Sequence, residues 1–303
     1  MGRRERDRSW PPTPEPLAVE AIDNHTHLDS IHHVLDAGEP VPTVAEHLER
    51  AAAVGVTRMV QVGCDLPAAR ATLAMLDAHP QLLGGVALHP NEAPLHAGVL
   101  EVAPDGLDPE PREHHDVSLD DALAQVADMA QHPRVRVIGE TGLDFFRGGP
   151  RAREVQRESF RAHVAMAKEL GLALQIHDRD AHAEIIDVLE SDGAPERTVF
   201  HCFSGDVQMA RRCAERGWFL SFSGTVTFRA NEHLRDALRA VPLDLVMVET
   251  DAPYLTAHPL RGRPNAPYLL PHTVRGVAAT LGVGEDVVAR TTAATAQAVY
   301  GPW

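Results

Sequence analysis

The sequence predicts a single-domain (β/α)8 TIM barrel, on three observations. Eight short apolar runs rich in Val, Ile and Leu recur along the 303 residues. They lack the clean polar alternation of a sheet with one wet face, as strands of a parallel sheet buried on both faces do. The runs alternate with stretches whose apolar residues follow helical spacing. No compositional break marks a second domain, and no G-x-G-x-x-G or G-x-x-x-x-G-K-S/T loop follows any strand, which leaves a doubly wound sheet as the weaker architecture.

Taken in order, residues 1–16 form an Arg- and Pro-rich segment. Arg3 and Arg4 precede a polar, proline-rich stretch rather than the apolar region of an export signal, so this segment reads as a mobile tail and the barrel occupies 17–303. The first strand falls at 19–24, and the next seven at 58–63, 82–88, 134–139, 172–176, 198–200, 218–222 and 245–248. Helices are expected at 43–54, 66–78, 117–131, 150–170, 180–191, 206–216 and 230–240, with two more at 271–281 and 285–299. In the longest, Phe160, Val164, Ala167 and Leu170 mark one apolar face. Between Glu92 and Asp121, nine Asp or Glu face only Arg112, and Pro94, Pro104, Pro109 and Pro111 punctuate the chain. That stretch is expected to be a solvated surface excursion.

Composition excludes several function classes. No run of about 18 apolar residues exists, so a membrane-spanning helix is not expected. The formal charge of −15 opposes binding of nucleic acid through a broad basic surface, so a phosphate substrate must be met locally, by metal and a few arginines. Cys64, Cys202 and Cys213 are an odd number without C-x-x-C spacing, which argues against a disulfide framework and a thiolate zinc site and suits a reducing cytoplasm. Lys168 is the only lysine and lies in a helical pattern, which leaves no residue for Schiff-base chemistry, pyridoxal phosphate attachment or a carbamylated-lysine bridge.

In a barrel of this kind, functional side chains stand at the C-terminal ends of the strands. The first strand ends in His25-Thr26-His27, the third in His89-Pro90 and the fourth in Glu140-Thr141-Gly142-Leu143-Asp144. The fifth ends in His177-Asp178-Arg179, the sixth in His201-Cys202 and the eighth in Glu249-Thr250-Asp251. One His-x-His pair among 18 histidines carries little by itself. Joined by Glu140, His177, His201 and Asp251 at other strand ends, it points to metal. Nitrogen and oxygen ligands without thiolate suit zinc, manganese or magnesium, and six candidates exceed what one tetrahedral ion needs. Two ions are therefore expected, one on His25 and His27, one on His177 and His201, with Glu140 able to bridge and Asp251 placed to accept a proton from water.

These stretches resemble the TatD family of metal-dependent deoxyribonucleases, within the amidohydrolase-like barrels. The likeness rests on Asp23-Asn24-His25-Thr26-His27-Leu28-Asp29, Ala87-Leu88-His89-Pro90, Ile138-Gly139-Glu140-Thr141-Gly142-Leu143-Asp144, His201-Cys202-Phe203-Ser204-Gly205 and Glu249-Thr250-Asp251-Ala252-Pro253-Tyr254-Leu255. It implies two or three divalent ions (Mg, Mn or Zn), those six ligands, with Glu140 and Asp251 as the catalytic pair, and hydrolysis of single-stranded DNA from the 3′ end. It also implies that Asn265 shapes the rim of the site. The departures are the length of the acidic excursion and the N-terminal segment.

His89 is a candidate phosphate contact, and Arg147 and Arg179 follow their strands closely enough to clamp a phosphate. Phe145, Phe146 and Tyr254 are the aromatics expected near the mouth, whereas Cys64 and Cys202 are expected only to pack. His32, His33, His114 and His115 are expected to be exposed. Two other functions fit the same ligands: a metal-dependent amide, ester or lactone hydrolase, since the same water attacks carbonyl carbon, and a non-catalytic scaffold with metal as a staple. The expected partner is a nucleic-acid substrate, with no membrane and no obligate protein partner.

Overall fold

A computed structural model describes residues 8–36, 38–104 and 106–303. Eight strands follow in sequence order around one parallel sheet, β1 (Ala21–Thr26), β2 (Val56–Gly63), β3 (Leu82–Val86), β4 (Val135–Asp144), β5 (Ala173–Arg179), β6 (Thr198–Phe200), β7 (Phe219–Phe222) and β8 (Val246–Val248). Thr26 bridges back to Ala252 just beyond β8, and the fold is the expected (β/α)8 barrel. Helices α1 (Val44–Ala52), α2 (Leu66–Ala78), α3 (Ala93–His96), α4 (Leu119–Met129), α5 (Pro150–Leu170), α6 (His182–Asp192), α7 (Val207–Glu215), α8 (Glu232–Arg239), α9 (Leu270–Leu281) and α10 (Glu285–Tyr300) connect them. No helix among the described residues is long and apolar enough to cross a membrane.

Side chains fix where helices begin. Thr43 and Glu46 close a capping box at the start of α1, and Asp65, Ser118 and Asp206 accept backbone N–H groups at the starts of α2, α4 and α7. Every residue of β1 and β3 is buried, which is why these strands show no polar alternation. The largest correction concerns β4 and β5, which run several residues past their expected ends. The polar letters after Gly139 and Ile176 read as loop, yet the ladder continues through Thr141–Ile176, Gly142–His177, Leu143–Asp178 and Asp144–Arg179. Glu140 and His177 thus stand on strand backbone rather than on loops. Only glycine fits at 142: its φ is +142°, and a Cβ there would lie 2.0 Å from the His177 carbonyl oxygen.

The described residues form two compact units. One comprises residues up to 61 with 205–298 and 303, the other 62–204 with 299–302. In the first, the N-terminal segment departs from the expected tail. Residues 1–7 lie outside the described residues, but 8–16 are held: Arg263 donates to the Ser9 and Trp10 carbonyl oxygens at 3.1 and 2.8 Å, Tyr268 Oη–H to the Pro11 carbonyl at 2.6 Å, and Arg275 to the Glu15 carbonyl at 2.8 Å. The cause is apolar, since Pro11, Pro14 and Leu17 are buried and the Arg50 guanidinium lies over the rings of Trp10 and Tyr268.

In the second unit the acidic excursion is only partly solvated. It contains α3 and a 3-10 turn, Glu113–Asp116, and it buries Ala93, Pro94, His96, Val99 and His115. His115 was expected at the surface, and the helical turn instead points it inward.

Two buried histidines make stability depend on pH. His163 on α5 donates Nδ1–H to the Ser159 carbonyl at 2.7 Å and accepts the Leu88 N–H at 3.2 Å, and burial pushes it down to about 4. His47 on α1 packs edge-on against Trp10 with no hydrogen-bond partner for either ring nitrogen, and burial, with the Arg50 charge, pushes it to about 4. Both folded values lie below the ordinary 6.5 of an unfolded chain. The unfolded state therefore takes up protons first as pH falls, and stability is lost between pH 6.5 and 4, by up to about 3 kcal/mol per histidine. His47→Phe removes one of these losses. Urea unfolding should show its stability advantage over the parent growing as pH falls from 7 to 4.5, whereas a difference that stays constant with pH would refute the assignment.

Candidate metal centre

The first unit contributes a cluster built on β1 and the turn after β8. Side chains two apart on an extended strand share a face. His25 and His27 accordingly meet with their Nε2 atoms 3.0 Å apart. Asp251 Oδ1 lies 3.5 Å from His27 Nε2 and 3.9 Å from His25 Nε2. All three are buried. The backbone sets this geometry. Asp251 N–H donates to the His25 carbonyl at 3.0 Å and His27 N–H to the Ala252 carbonyl at 2.8 Å, with Asp251 itself in the left-handed region at φ +53°.

Two further buried carboxylates lock the turn after β8 onto β1. Asp23 accepts Thr250 N–H at 2.9 Å and Thr250 Oγ1–H at 2.5 Å. Burial, reinforced by the nearby Glu249 charge, pushes Asp23 up to about 7. Glu249 Oε2 accepts from Asn24 Nδ2 at 3.2 Å and from Ser221 Oγ at 2.5 Å. Asn265 is buried, and its amide donates to the Thr250 and Tyr254 carbonyls at 2.8 and 2.5 Å. It braces this turn from behind. Tyr254 is half exposed, its ring 6.1 Å from that of His27.

The second unit contributes a cluster around Glu140. Glu140 Oε1 lies 2.6 Å from His177 Nδ1, 2.8 Å from His201 Nε2 and 3.5 Å from His89 Nε2. Burial would raise this carboxyl, but the surrounding imidazoles hold it well below its ordinary value. His177 Nε2 lies 3.3 Å from Asp144. Against the lowering effect of burial, Asp144 and Glu140 push His177 up to about 9, and the same contacts outweigh burial at Asp144 and take it down to about 2. His89 Nδ1 accepts the Asn91 N–H at 3.1 Å, and Asn91 Nδ2 donates to Asp144 at 3.2 Å.

Three residues of this cluster were missed as contributors. Asp144 and Asn91 orient His177 and His89, and Cys64 Sγ reaches Glu140 Oε2 at 3.4 Å. Asp144 was visible at the end of the fourth strand run, but its tie to His177 depends on the register of β4 with β5. Arg147 is exposed, and its N–H donates to Asp144 Oδ1 at 3.0 Å. Arg179 is exposed too, its guanidinium 3.8 Å above the ring of Phe146. Phe145 departs from expectation. It is buried with Arg153 and Arg157 over its ring, while Phe146 stays exposed.

The donor chemistry fits divalent cations. His25, His27 and Asp251 offer ligand atoms within 4.8 Å of one another, as do His89, Glu140 and His177. Three imidazoles around a carboxylate, and two facing Nε2 atoms beside another, are sets that a hard or borderline cation satisfies. Asp23, Glu249, Asp144 and Asn91 are the outer partners that keep such ligands aimed.

The model of the family described as TatD related DNase matches residues 22–301. The chain is 40% identical over 284 residues to a Mycobacterium tuberculosis protein named as an uncharacterized metal-dependent hydrolase TatD, covering 92% of this chain and 97% of that protein. It is 39% identical over 155 residues, half of this chain and 58% of the relative, to a Cronobacter turicensis protein named as a 3′-5′ ssDNA/RNA exonuclease TatD. Its fold matches the crystal structure of YJJV, a TatD homologue from Escherichia coli K12, with a TM-score of 0.78 and 24% identity over 93% of this chain and 98% of that one.

Loss of an outer partner should loosen the ligands without unfolding the chain. Thr250→Val removes the hydroxyl that Asp23 accepts and leaves the Thr250 N–H bond to Asp23 in place. Calorimetric titration of the chelated protein with Mn2+ should show affinity lower by about 10–100-fold with an unchanged circular dichroism spectrum. Unchanged affinity would show that the Asp23–Thr250 bond does not position these ligands.

Proposed function

The chain belongs to the TatD family of metal-dependent hydrolases, and from that premise we propose that it cleaves phosphodiester bonds of single-stranded nucleic acid, DNA foremost, from the 3′ end. Two divalent ions, one on each ligand cluster, are part of this reading: His25, His27 and Asp251 for one, Glu140, His177 and His201 for the other. Ions held there would supply Lewis acidity, making water a nucleophile near neutral pH and offsetting charge on phosphate oxygens.

The protein's own groups do the rest. Asp251 Oδ1, fixed by the Thr250–Asp23 bonds, receives the proton of the attacking water. Glu140 presents a carboxylate that its imidazole neighbours keep ionised, so it remains an acceptor and a ligand throughout. His89, aimed by the Asn91 N–H, is a hydrogen-bonding partner for a phosphate oxygen.

One observation supports phosphate over a carbonyl substrate. Two residues after Asp251 begins the wall of a cavity of about 600 Å³ lined by Pro253, Leu255, Phe228, Arg8, Arg261 and Arg263. In a chain with formal charge −15, three arginines line one cavity, and with Arg8 paired to Asp36 at 3.5 Å and Arg263 donating to the Ser9 and Trp10 carbonyls, Arg261 is the phosphate contact of this reading. Arg261 lies 4.5 Å over the ring of Phe228, so a base can stack where a phosphate is held. Phe146 under Arg179 makes a similar pairing in the second unit.

The test is shortening of a 5′-labelled single-stranded oligonucleotide by chelator-stripped protein resupplied with magnesium, manganese or zinc. The reading expects a ladder that grows from the 3′ end with metal and vanishes in Glu140→Ala. Hydrolysis of carboxylic esters or amides without any shortening of the oligonucleotide would overturn it. Arg261→Ala should raise KM several-fold with little change in kcat and flatten the dependence of kcat/KM on salt, because it removes a contact to phosphate rather than to the reacting centre.

A further inference from the structure

The acidic excursion that separates β3 from β4 carries another histidine cluster, which shares no residue with those assigned above. His96 closes α3, and His114 and His115 occupy the 3-10 turn at the far end of the excursion. Ligand atoms of the three lie within 4.8 Å of one another. Glu92 completes the group, its Oε2 3.2 Å from His114 Nε2 and 2.8 Å from His115 Nε2.

One atom makes this more than a packed group. His96 is 5% exposed, and its Nδ1 lies 2.8 Å from the Val117 carbonyl, to which it can only donate. The Nε2 is therefore a bare lone pair, and it is buried with no hydrogen-bond partner. An unsatisfied buried nitrogen costs about 1–3 kcal/mol. An imidazole whose other nitrogen donates to a carbonyl is the arrangement that metal-ligating histidines adopt. Burial also pushes His96 below its ordinary value, so the ring is neutral. Burial would raise Glu92, but the hydrogen bonds from His115 and His114 bring it below its ordinary value and keep it an anion.

From this geometry we propose a zinc site formed by His96 Nε2, His114 Nε2 and the Glu92 carboxylate, with water in the fourth position; on binding, His114 exchanges its Nε2 hydrogen bond to Glu92 for the metal and carries its proton on Nδ1. His115 has a different task. Its Nδ1 accepts the Arg112 N–H at 2.7 Å, so its Nε2 carries the proton and donates to Glu92, orienting the carboxylate. Two imidazoles and a carboxylate are a common zinc donor set. The ion clips the two ends of the excursion together, around a loop whose described residues are 97–104 and 106–112. That loop walls a cleft of about 530 Å³ lined by Asn91, Glu101, Leu107, Arg112, Arg147 and Gln156. Zinc thereby fixes the shape of a surface beside Asn91 and Arg147, without contributing an ion to the chemistry.

Zinc itself is the probe. Equilibrium dialysis of the chelated full chain against Zn2+, with metal counted by mass spectrometry, should find one equivalent more in the parent than in His96→Gln or His114→Gln. Far-UV circular dichroism and melting temperature without zinc should be the same for all three, and Co2+ should give the intense visible absorption of a four-coordinate site in the parent only. His115→Ala should weaken zinc binding at this site by about 10–100-fold rather than abolish it. Equal zinc content in the parent and a folded His114→Gln protein overturns the proposal. Should His96→Gln fail to fold, His114→Gln decides alone, because that side chain sits at the edge of the cluster.

Discussion

Charge buried among imidazoles and hydroxyls is the constraint on which the rest of this structure depends. An isolated carboxylate in a dry interior is too costly to keep ionised. Glu140 is therefore tolerable only with His177 and His201 in hydrogen-bond contact, and Glu249 only with Asn24 and Ser221. Such groups add little net stability, but removal of a single partner strands the other and costs about 3–5 kcal/mol. What they provide is fixed position. The strands of each unit are held in one register because any slip would separate these pairs, and the ligand nitrogens inherit that precision.

Much of the barrel was legible because parallel strands buried on both faces write themselves as apolar runs, and because barrels concentrate chemistry at strand ends. That reading placed His25, His27, Glu140, His177, His201 and Asp251 on five strand termini and supplied an expectation for their chemistry. What escaped it depends on contacts that no local pattern contains. Asn24 and Ser221 are 197 residues apart, and Asn24 and Glu249 are 225 apart. Asp144 became a partner of His177 only when β4 and β5 proved to pair beyond the apolar letters. His115 looked solvated because its neighbours are Glu and Asp, yet a 3-10 turn reverses which side faces inward. The proline-rich N-terminal segment misled for a similar reason: its polar letters concealed Trp10, Pro11 and Pro14, which dock from residue 8 onward.

For the polyanionic substrate proposed above, an acidic protein has to confine its attraction. Here the guanidiniums of Arg8, Arg261 and Arg263 share one cavity, and Arg179 stacks on Phe146. Other arginines are committed to carboxylates, as in Arg157 with Glu184 and Arg239 with Glu232 and Asp236, and within the cavity Arg8 itself pairs with Asp36. A nucleic acid would then be repelled by most of the surface and accepted at a few points, which favours a flexible single strand over a rigid duplex.

The most direct test of the proposal that each of the two ligand sets holds a divalent ion is anomalous diffraction from crystals grown with manganese. The account predicts one anomalous peak within bonding distance of His25, His27 and Asp251, and another beside Glu140, His177 and His201. Well-ordered ligand side chains without a peak at either cluster, at manganese concentrations that support hydrolysis, would contradict it.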